Sequence, residues 1–371
     1  MNRLTITSSL LVASLLLQGR TAGATDSAHQ TVGRRFTAIP LVNFSSDDGT
    51  GYGLRLNLFD YDGSSIPYRK AYSIQAFFTT KGKQVHRFYT DIPNLNPGQR
   101  LEIEVLYEKE DFANFFGDLT DDEADTYTRE QKTFEQNYPQ LRLRWIRNLR
   151  GPWRLLAGAR LGHNSISRST EVGSLLDTLD PLGADGGNLF QINSALRYDT
   201  RDDYVNSTSG VLEELLVEYG LGGGGDFSGG QISYDHRHFQ PLGRKWVFAH
   251  RASAALTFGE VPFYETPALG GSSTIRGEPA FRMRGQGRLL LNGELRWQGV
   301  TLSSRKSMHL GLLLFGDAGQ IFARSDGPTV DNWRTGVGAG LRFHWQSTIV
   351  RADYGQSGSG TGIYITFSQV F

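Results

Sequence analysis

Hydrophobic and polar residues alternate one by one along much of this chain. In the segment 101–108 (LEIEVLYE) apolar residues alternate with glutamates such as Glu102, and in 141–145 (LRLRW) they alternate with Arg142 and Arg144. Successive side chains of a β-strand point to opposite faces of the sheet, so each segment predicts a strand with one apolar and one charged face. The pattern therefore predicts an all-β protein.

Sixteen such segments can be placed along the sequence. They span 36–44, 50–60, 70–80, 86–92, 99–110, 132–147, 152–165, 187–200, 210–220, 228–240, 244–258, 287–299, 307–319, 333–345, 347–355 and 362–371. Short connections at 148–151, 240–244 and around Gln346 alternate with long ones at 111–131, 166–186 and 259–286. An even strand number, with short turns at one end and long loops at the other, is typical of bacterial outer-membrane barrels.

The distribution of charge decides which face of these strands meets lipid. Charged residues fill nearly every polar-face position over segments of about ten residues, the length that a tilted strand needs to cross a bilayer. Aromatic residues cluster near strand ends, as interfacial girdles do, at Tyr52, Tyr72, Tyr107, Trp145, Trp297, Trp345 and Tyr354. We therefore predict a transmembrane antiparallel β-barrel of sixteen strands, with Glu102, Arg142, Arg144 and Glu294 facing the lumen.

The first residues have the pattern of an export signal. A positive charge at Arg3 is followed by the apolar run Ser9 to Leu17 and by small residues at 22–24. The run is shorter than the roughly 20 residues of a spanning helix, so it predicts a secretory signal peptide over 1–24. We expect a short periplasmic segment at 25–35, a barrel at 36–371, and location in the bacterial outer membrane.

Composition narrows the class further. The 371 residues include 45 glycines and no cysteine, and 38 basic side chains balance 38 acidic ones. Without cysteine the chain has no disulfides, thiolate metal sites or cysteine nucleophiles. Zero net charge gives no broad basic surface of the kind that binds nucleic acid. We expect no cofactor and no nucleic-acid partner.

The sequence contains no group of residues spaced for catalysis. The segment 163–165 (HNS) alternates between strand faces, so it cannot converge as a serine hydrolase requires. His236 and His238 share a face with Tyr234, and no third metal ligand is spaced with them. We expect these histidines to face the lumen as polar residues, and we predict neither a metal site nor an enzyme.

Several motifs between residues 198 and 319 are more specific than the alternation. They are YDTRDD at 198–203, ALGGSSTIRGE at 268–278, FRMR at 281–284, NGELR at 292–296 and FGDAG at 315–319. In this order they resemble the outer-membrane assembly superfamily that includes BamA, TamA and the two-partner secretion transporters. One departure is Glu278, which stands where the family has an aromatic residue.

The resemblance implies a function as well as a fold. Its members insert or translocate proteins, so the expected partners are client outer-membrane or secreted proteins, besides outer-membrane lipid and lipopolysaccharide. Only about eleven residues, Thr25 to Arg35, precede the first predicted strand, too few for a folded domain. We therefore expect the family's periplasmic POTRA domains to be absent. A separate periplasmic partner that replaces them is one alternative, and a passive pore or structural barrel is another.

The resemblance also implies that loop 259–286 folds into the lumen. A guanidinium offers carboxylates a planar bidentate contact, so Arg276 is predicted to bind Asp317 and Glu294. We call the loop and barrel residues of this contact the arginine site; they are Arg276, Gly277, Glu294, Phe315, Asp317 and Gly319. Because a barrel lumen contains water, we expect the loss of this contact to cost about 1 kcal/mol.

The two ends of the predicted barrel carry the last candidate features. Phe371, Phe367 and Ile365 alternate on one side of the last predicted strand, and this pattern resembles the recognition signal of outer-membrane proteins. Pro40 lies in the first strand and has no N–H to donate, so it marks either an edge strand or a bulge. The edge alternative predicts a weak seam between strands 1 and 16.

Overall fold

Sixteen antiparallel strands close into a barrel in the computed structural model, which describes residues 32–169, 173–222, 224–304, 308–345 and 348–371. The strands are β1 (Val32–Ser45), β2 (Gly49–Asp62), β3 (Lys70–Thr79), β4 (Lys83–Asn96), β5 (Gln99–Asn114), β6 (Thr133–Asn148), β7 (Trp153–Ser167), β8 (Gly186–Asp199), β9 (Gly210–Gly220), β10 (Gly229–Leu242), β11 (Trp246–Gly259), β12 (Gly287–Ser303), β13 (Met308–Phe322), β14 (Arg334–Trp345), β15 (Thr348–Ser357) and β16 (Gly360–Phe367). The predicted fold class is confirmed, with the strands in the predicted order.

The strand boundaries differ from the prediction at both ends of the barrel. The first strand begins at Val32, so residues 32–35 belong to the barrel and not to a preceding segment. The last strand ends at Phe367, four residues before the predicted end at 371, because the backbone turns at Ser368 with a φ of 69°. The predicted signal peptide at 1–24 and the predicted turn at Gln346 lie outside the described residues.

The connections at one end of the barrel are long and carry short helices. The loop between β5 and β6 contains α1 (Asp121–Asp125), whose first turn is closed by a capping box between Thr120 and Glu123. The loop between β7 and β8 contains α2 (Leu175–Leu179). In the described part of the chain, no helix is long and apolar enough to cross a membrane.

The two faces of the wall have opposite chemistry, as the alternation predicts. Leu314 is 62% exposed on the outside, while Glu294 is fully buried on the inside. Arg142 and Arg144 also point inward, where they pair with Glu104 at 3.3 Å and with Glu102 at 3.2 Å. Charged side chains of neighbouring strands thus neutralise each other on the lumen face of the wall.

The prediction for the histidines of β10 is wrong. Ile232 and Tyr234 are 41% and 43% exposed, so the even-numbered positions of this strand face outward, and they include His236 and His238. The lumen face of β10 is formed by Asp235 and Arg237, which pair with each other at 3.0 Å. Alternation identified the shared face correctly but not its direction, because both faces of this strand carry polar residues.

The barrel is closed by a short contact between β1 and β16. Strands β1 and β2 pair over their whole length, from Val32 with Asp62 to Ser45 with Gly49. By contrast, β1 pairs with β16 only through Phe44 with Ile365 and Ser45 with Tyr364. Most of the outer edge of β1 therefore has no strand partner among the described residues.

The long loops fold over the mouth of the barrel and pack together. Their core contains buried aromatic and aliphatic residues from four loops and the strand ends below them. Its members are Ala113, Phe115, Phe134, Tyr138, Leu175, Leu176, Ala184, Leu189, Phe227, Phe263 and Tyr264. A packed apolar cluster of this kind excludes water, so this mouth is covered and the loops beneath it are held in place.

Candidate functional site

The segment between β11 and β12 enters the barrel. After the 3-10 turn Phe263–Glu265, Ala268–Leu269 pairs with Met283–Arg284 to form a two-stranded stem. The tip between these strands is buried, and Ile275 packs with Leu269 and Leu290 of the wall. The loop 259–286 is thus placed inside the lumen, with its tip against the strands that follow it in sequence.

Two glycines and a threonine shape the tip. Gly270 and Gly277 have φ values of 108° and 107°, a region that side chains with a Cβ rarely adopt. The Thr274 hydroxyl bridges the tip, with Oγ1 2.8 Å from both the amide nitrogen and the carbonyl oxygen of Gly270. These local constraints present the intervening arginine to the wall.

Arg276 makes the contact that its motif predicts. Its Nε and Nη2 donate to the two carboxylate oxygens of Asp317 at 2.8 and 2.9 Å, and its backbone N–H donates to the same carboxylate at 3.1 Å. Its Nη1 donates to Oε1 of Glu294 at 2.7 Å. The Asp317 carboxylate also accepts from Asn292 at 2.8 Å. All three nitrogens of the guanidinium group therefore donate to carboxylates of the wall.

A third carboxylate belongs to the arginine site and was not predicted. Asp353 of β15 accepts from Nη1 of Arg276 at 3.3 Å and also pairs with Arg342. Around the loop arginine the wall supplies three carboxylates and three further guanidinium groups, which are Glu294, Asp317, Asp353, Arg296, Arg342 and Arg351. The charges alternate around the site, although Nη1 of Arg296 and both Nε and Nη1 of Arg351 have no hydrogen-bond partner within the described residues.

The expectation of a partly hydrated contact is wrong. The side chain of Arg276 is 1% exposed, and those of Glu294, Asp317 and Asp353 are 0% exposed. The loop itself fills the lumen around these groups and removes the water on which the expectation rested. Breaking a fully buried ion pair leaves an uncompensated charge, so the relevant cost is about 3–5 kcal/mol and not about 1.

Glycines of the wall make room for the loop. A Cβ on Gly355 of β15 would lie 2.7 Å from the carbonyl carbon of Arg276. A Cβ on Gly336 of β14 would likewise lie too close to the carbonyl oxygen of Arg276. A Cβ on Gly319 would lie 2.9 Å from Leu269 of the stem. Gly336 and Gly355 were not predicted as site residues. The alternation of glycine with larger residues at 336–340 was the signal that could have identified one of them.

The tip also reaches the closing strand and the first turn of the barrel. The N–H of Gly277 donates to the hydroxyl of Tyr364 on β16 at 3.2 Å, and the N–H of Ala280 donates to Asp47 at 2.9 Å. Burial raises the pKa of the Asp47 carboxyl to about 6 despite this hydrogen bond. Glu278 is fully buried, and its carboxylate oxygens have no hydrogen-bond partner within the described residues.

Asp121 of α1 fastens the loop from the outer side. Its carboxylate accepts from Arg282 and from Ser359 at 2.8 and 2.9 Å, and it pairs with Arg334 at the start of β14. Hydrogen bonds, first of all from Arg334, lower the pKa of Asp121 to about 2. The inward loop is therefore attached to the covering loops as well as to the wall.

The residues predicted as a terminal recognition pattern are separated. Ile365 is 40% exposed on the outer wall and Phe367 ends β16, whereas Phe371 turns into the lumen. There Phe371 packs on Phe239, and its backbone oxygen accepts from Arg296 at 3.3 Å. The predicted continuation of one strand face through Phe371 is wrong, because the turn at Ser368 interrupts it.

Pro40 lies where an edge residue is expected. It pairs with Leu54 of β2, in the part of β1 that has no partner on β16. The described residues contain no cluster of three or more histidine or acidic side chains that could hold a metal ion.

The arginine site is thus a set of buried ion pairs that holds the inward loop against the barrel wall.

The fold and this site define an outer-membrane β-barrel with an arginine-anchored loop in its lumen. A model of the Omp85 superfamily domain matches residues 63–367, and the chain belongs to the Omp85 superfamily. The family resemblance carried by the motifs is thereby confirmed. A comparison with the curated proteins found no match.

Solved structures of the same fold extend this result. BamA from Haemophilus ducreyi lacking POTRA domains 1–3 aligns with a TM-score of 0.66 and 13% identity, over 98% of this chain and 77% of that chain. CdiB from Escherichia coli aligns with a TM-score of 0.62 and 12% identity, over 89% and 62%. CdiB from Acinetobacter baumannii aligns with a TM-score of 0.53 and 13% identity, over 91% and 60%. This chain spans less than two thirds of either CdiB chain, and the likeness at these identities is one of fold.

Proposed function

We propose that this barrel inserts proteins into the outer membrane, or translocates them across it, by opening the seam between β1 and β16. The observation that carries the proposal is the difference between the two edges of β1. One edge pairs with β2 from Val32 to Ser45, and the other pairs with β16 only at Phe44 and Ser45. The seam is the boundary whose separation breaks the fewest backbone hydrogen bonds.

The free edge of β1 has the chemistry of an acceptor for an incoming strand. Backbone N–H and C=O groups without partners are unfavourable in a lipid environment, and a client strand that pairs with them satisfies both chains. Pro40 lies within this free stretch and has no N–H. It lowers the number of hydrogen bonds that β16 could form there, which favours exchange of the partner strand.

The alternative of a passive pore has less support. A pore needs a continuous aqueous path, and here the loop 259–286 occupies the lumen beneath a packed cluster of covering loops. Its anchoring charges are buried and paired. We therefore expect low conductance for the resting protein in planar bilayers. A large and steady conductance would favour the pore instead.

On this proposal the clients are unfolded outer-membrane or secreted proteins. A separate periplasmic protein would deliver them, and outer-membrane lipid and lipopolysaccharide would surround the seam. The membrane face near the seam is apolar, with Val42 62% exposed and Ile363 45% exposed. Such a surface lets a client strand meet lipid as soon as it leaves β1.

Cysteine pairs test the proposal, because the native chain has no cysteine. Phe44→Cys with Ile365→Cys crosses the seam, and Val42→Cys with Tyr52→Cys crosses the fully paired β1–β2 boundary as a matched control. The assay is the folding rate of a urea-denatured outer-membrane barrel added to vesicles that contain the protein. Oxidation of the seam pair should abolish the acceleration and a reductant should restore it, while the control pair has no effect. Full activity with a quantitatively oxidised seam would contradict lateral opening.

A further inference from the structure

Five polar side chains lie together on the outer wall of the barrel. They are Glu213 of β9, Tyr234, His236 and His238 of β10, and His250 of β11, and we call them the polar patch. The other exposed positions on these strands are largely apolar and include Leu215, Val217, Ile232 and Phe248. A cluster of ionisable groups among otherwise apolar outer positions is therefore a candidate binding site.

The patch is only partly satisfied by its own members. The Glu213 carboxylate accepts from Nδ1 of His236 at 2.8 Å and from the Tyr234 hydroxyl. The Nε2 atoms of His236 and His250 are 3.4 Å apart. His238 stacks edge-on against His250, with 5.2 Å between ring centroids, and it forms no hydrogen bond in the part of the chain that the structure describes. The patch therefore retains a free imidazole and a carboxylate with further acceptor capacity.

The patch lies in the periplasmic half of the barrel wall. Glu213 pairs directly with Tyr198, which pairs with Trp153 at the start of β7, and these two aromatic rings are 5.0 Å apart. Aromatic rows of this kind mark the membrane–water interface. Trp153 begins its strand at the end of the barrel opposite the long loops, so the row marks the periplasmic side. Glu213 and His238, three and four residues from the periplasmic ends of their strands, are therefore the patch residues closest to the phosphates and headgroups of the periplasmic leaflet.

A smooth strip continues from the patch along the wall. His250 pairs with Gly293 of β12, which in turn pairs with Gly316 of β13. A Cβ on Gly316 would meet no atom within 4 Å, and one on Gly293 would meet only the Gly316 oxygen at 3.9 Å. Packing within the protein therefore does not require glycine at either position. The side chains of Leu291 and Leu314 beside the two glycines are 47% and 62% exposed, so this strip of the outer wall is apolar and carries no side chain at Gly293 or Gly316.

We propose that the polar patch and the glycine strip bind one phospholipid of the periplasmic leaflet, with a phosphate and a primary ammonium in its headgroup. The imidazole N–H of His238 donates to a phosphate oxygen. The Glu213 carboxylate accepts from the ammonium, which is its charge complement. The strip from Gly293 to Gly316 holds an acyl chain against the wall. A headgroup with both charges matches a patch that places an acid beside a base.

Native mass spectrometry of the full-length protein tests this site. The protein is released from detergent after incubation with phosphatidylethanolamine or phosphatidylcholine of identical acyl chains. The trimethylammonium of phosphatidylcholine cannot donate a hydrogen bond, so the wild type should retain phosphatidylethanolamine about fivefold better, the effect of about one hydrogen bond. Glu213→Gln should abolish this preference, whereas His238→Ala and Gly293→Leu should lower retention of both lipids.

His86→Ala provides the matched control, since His86 also lies on the outer wall but near the opposite end of the barrel. Heat-modifiable migration in gels checks that every variant still forms a barrel. Equal retention of the two lipids by the wild type would overturn the proposal, as would a loss in His86→Ala as large as that in His238→Ala. A dimer that disappears in His238→Ala would also overturn it and would assign the patch to contact between two copies.

Discussion

The guanidinium of Arg276 lies over the ring of Phe315, with 3.4 Å between Cζ and the ring centroid. The ring covers one face of the cation while carboxylates fill its edge. A Cβ on Gly338 of β14 would collide with Phe315, so the glycine of one strand allows the ring of the next to support the loop. Only a planar cation with donors along its edge can make both kinds of contact. The ammonium of a lysine is not planar and could not replace the guanidinium here.

Arg276→Ala should free the loop without unfolding the barrel. The substitution leaves Asp317 and Glu294 buried without their common partner, so we expect the loop contact to weaken by about 3–5 kcal/mol. Limited proteolysis should then cut within 259–286, and planar bilayers should show increased conductance. Arg150→Ala, at an exposed position in the short turn between β6 and β7, is the control and should change neither. An uncut loop in Arg276→Ala would show that other contacts suffice to hold it.

A double-mutant cycle tests whether Arg276 and Asp317 act as one contact. Asp317→Asn should give the same proteolytic pattern as Arg276→Ala, and the double variant should be little worse than either single variant. The measurement is the midpoint of loop cleavage in increasing urea. Additive losses would contradict direct energetic coupling between the two residues.

Gly355→Ala should displace the loop without removing any charge. The new Cβ would lie 2.7 Å from the carbonyl carbon of Arg276, so either the tip or β15 must move. Overpacking of this kind costs about 1–3 kcal/mol, and we expect faster loop cleavage with the barrel intact. Gly358→Ala is the matched control, because its Cβ would meet no atom within 4 Å. Equal cleavage rates in the two variants would refute the role of Gly355 as a spacer.

The attachment of the tip to Asp47 should depend on pH. The pKa of this carboxyl is raised from 3.8 to about 6 in the folded protein, so the folded state binds more protons than the unfolded state between these values. The contribution of Asp47 to stability therefore falls as the pH rises from about 4 to about 6 and stays low above that range. Hydrogen exchange at residues 278–282, corrected for intrinsic rates, should be slower at pH 5 than at pH 7.5. Asp47→Asn should remove the difference, and Asp326→Asn should retain it.

Asp121→Ala should release the covering loops while the arginine site stays closed. Arg282 and Arg334 would lose their shared carboxylate, and Arg282 is buried, so its charge would be left without an anionic partner. We expect faster hydrogen exchange in 115–132 but unchanged exchange at 274–277. Because the pKa of Asp121 is lowered to about 2, the wild-type contact should persist down to about pH 3 and weaken below it. Parallel loosening of both regions would mean that the loops open as one unit.

The period of the sequence predicted the barrel because each membrane strand must be apolar on one face and polar on the other. It placed the end of β16 too late, since Phe371 would share the face of Phe367 if the strand continued, and the turn at Ser368 ends the strand before that point. It also gave the wrong direction for His236, because both faces of β10 are polar. Alternation shows which residues share a face of the strand. Whether that face points to lipid or to the lumen can be predicted only when one of the two faces is clearly apolar.

The arginine site was predictable in part for a different reason. Arg276, Glu294 and Asp317 lie in motifs that can be read locally and that resemble those of a known superfamily. Asp353 and Gly355 lie on a strand that meets the loop only after the barrel closes, and no short motif marks them. Their part in the site depends on pairing between distant strands, as does the exclusion of water from it.

The hydrogen bond from Gly277 to Tyr364 has a consequence for how the barrel could work. Tyr364 lies on β16, which closes the seam, and Gly277 follows the arginine that anchors the loop. Separation of β16 from β1 therefore carries away a partner of the loop tip, and withdrawal of the loop removes a support of β16. The two movements are thermodynamically linked, so withdrawal of the loop eases separation of the seam by the same free energy by which separation of the seam eases withdrawal of the loop.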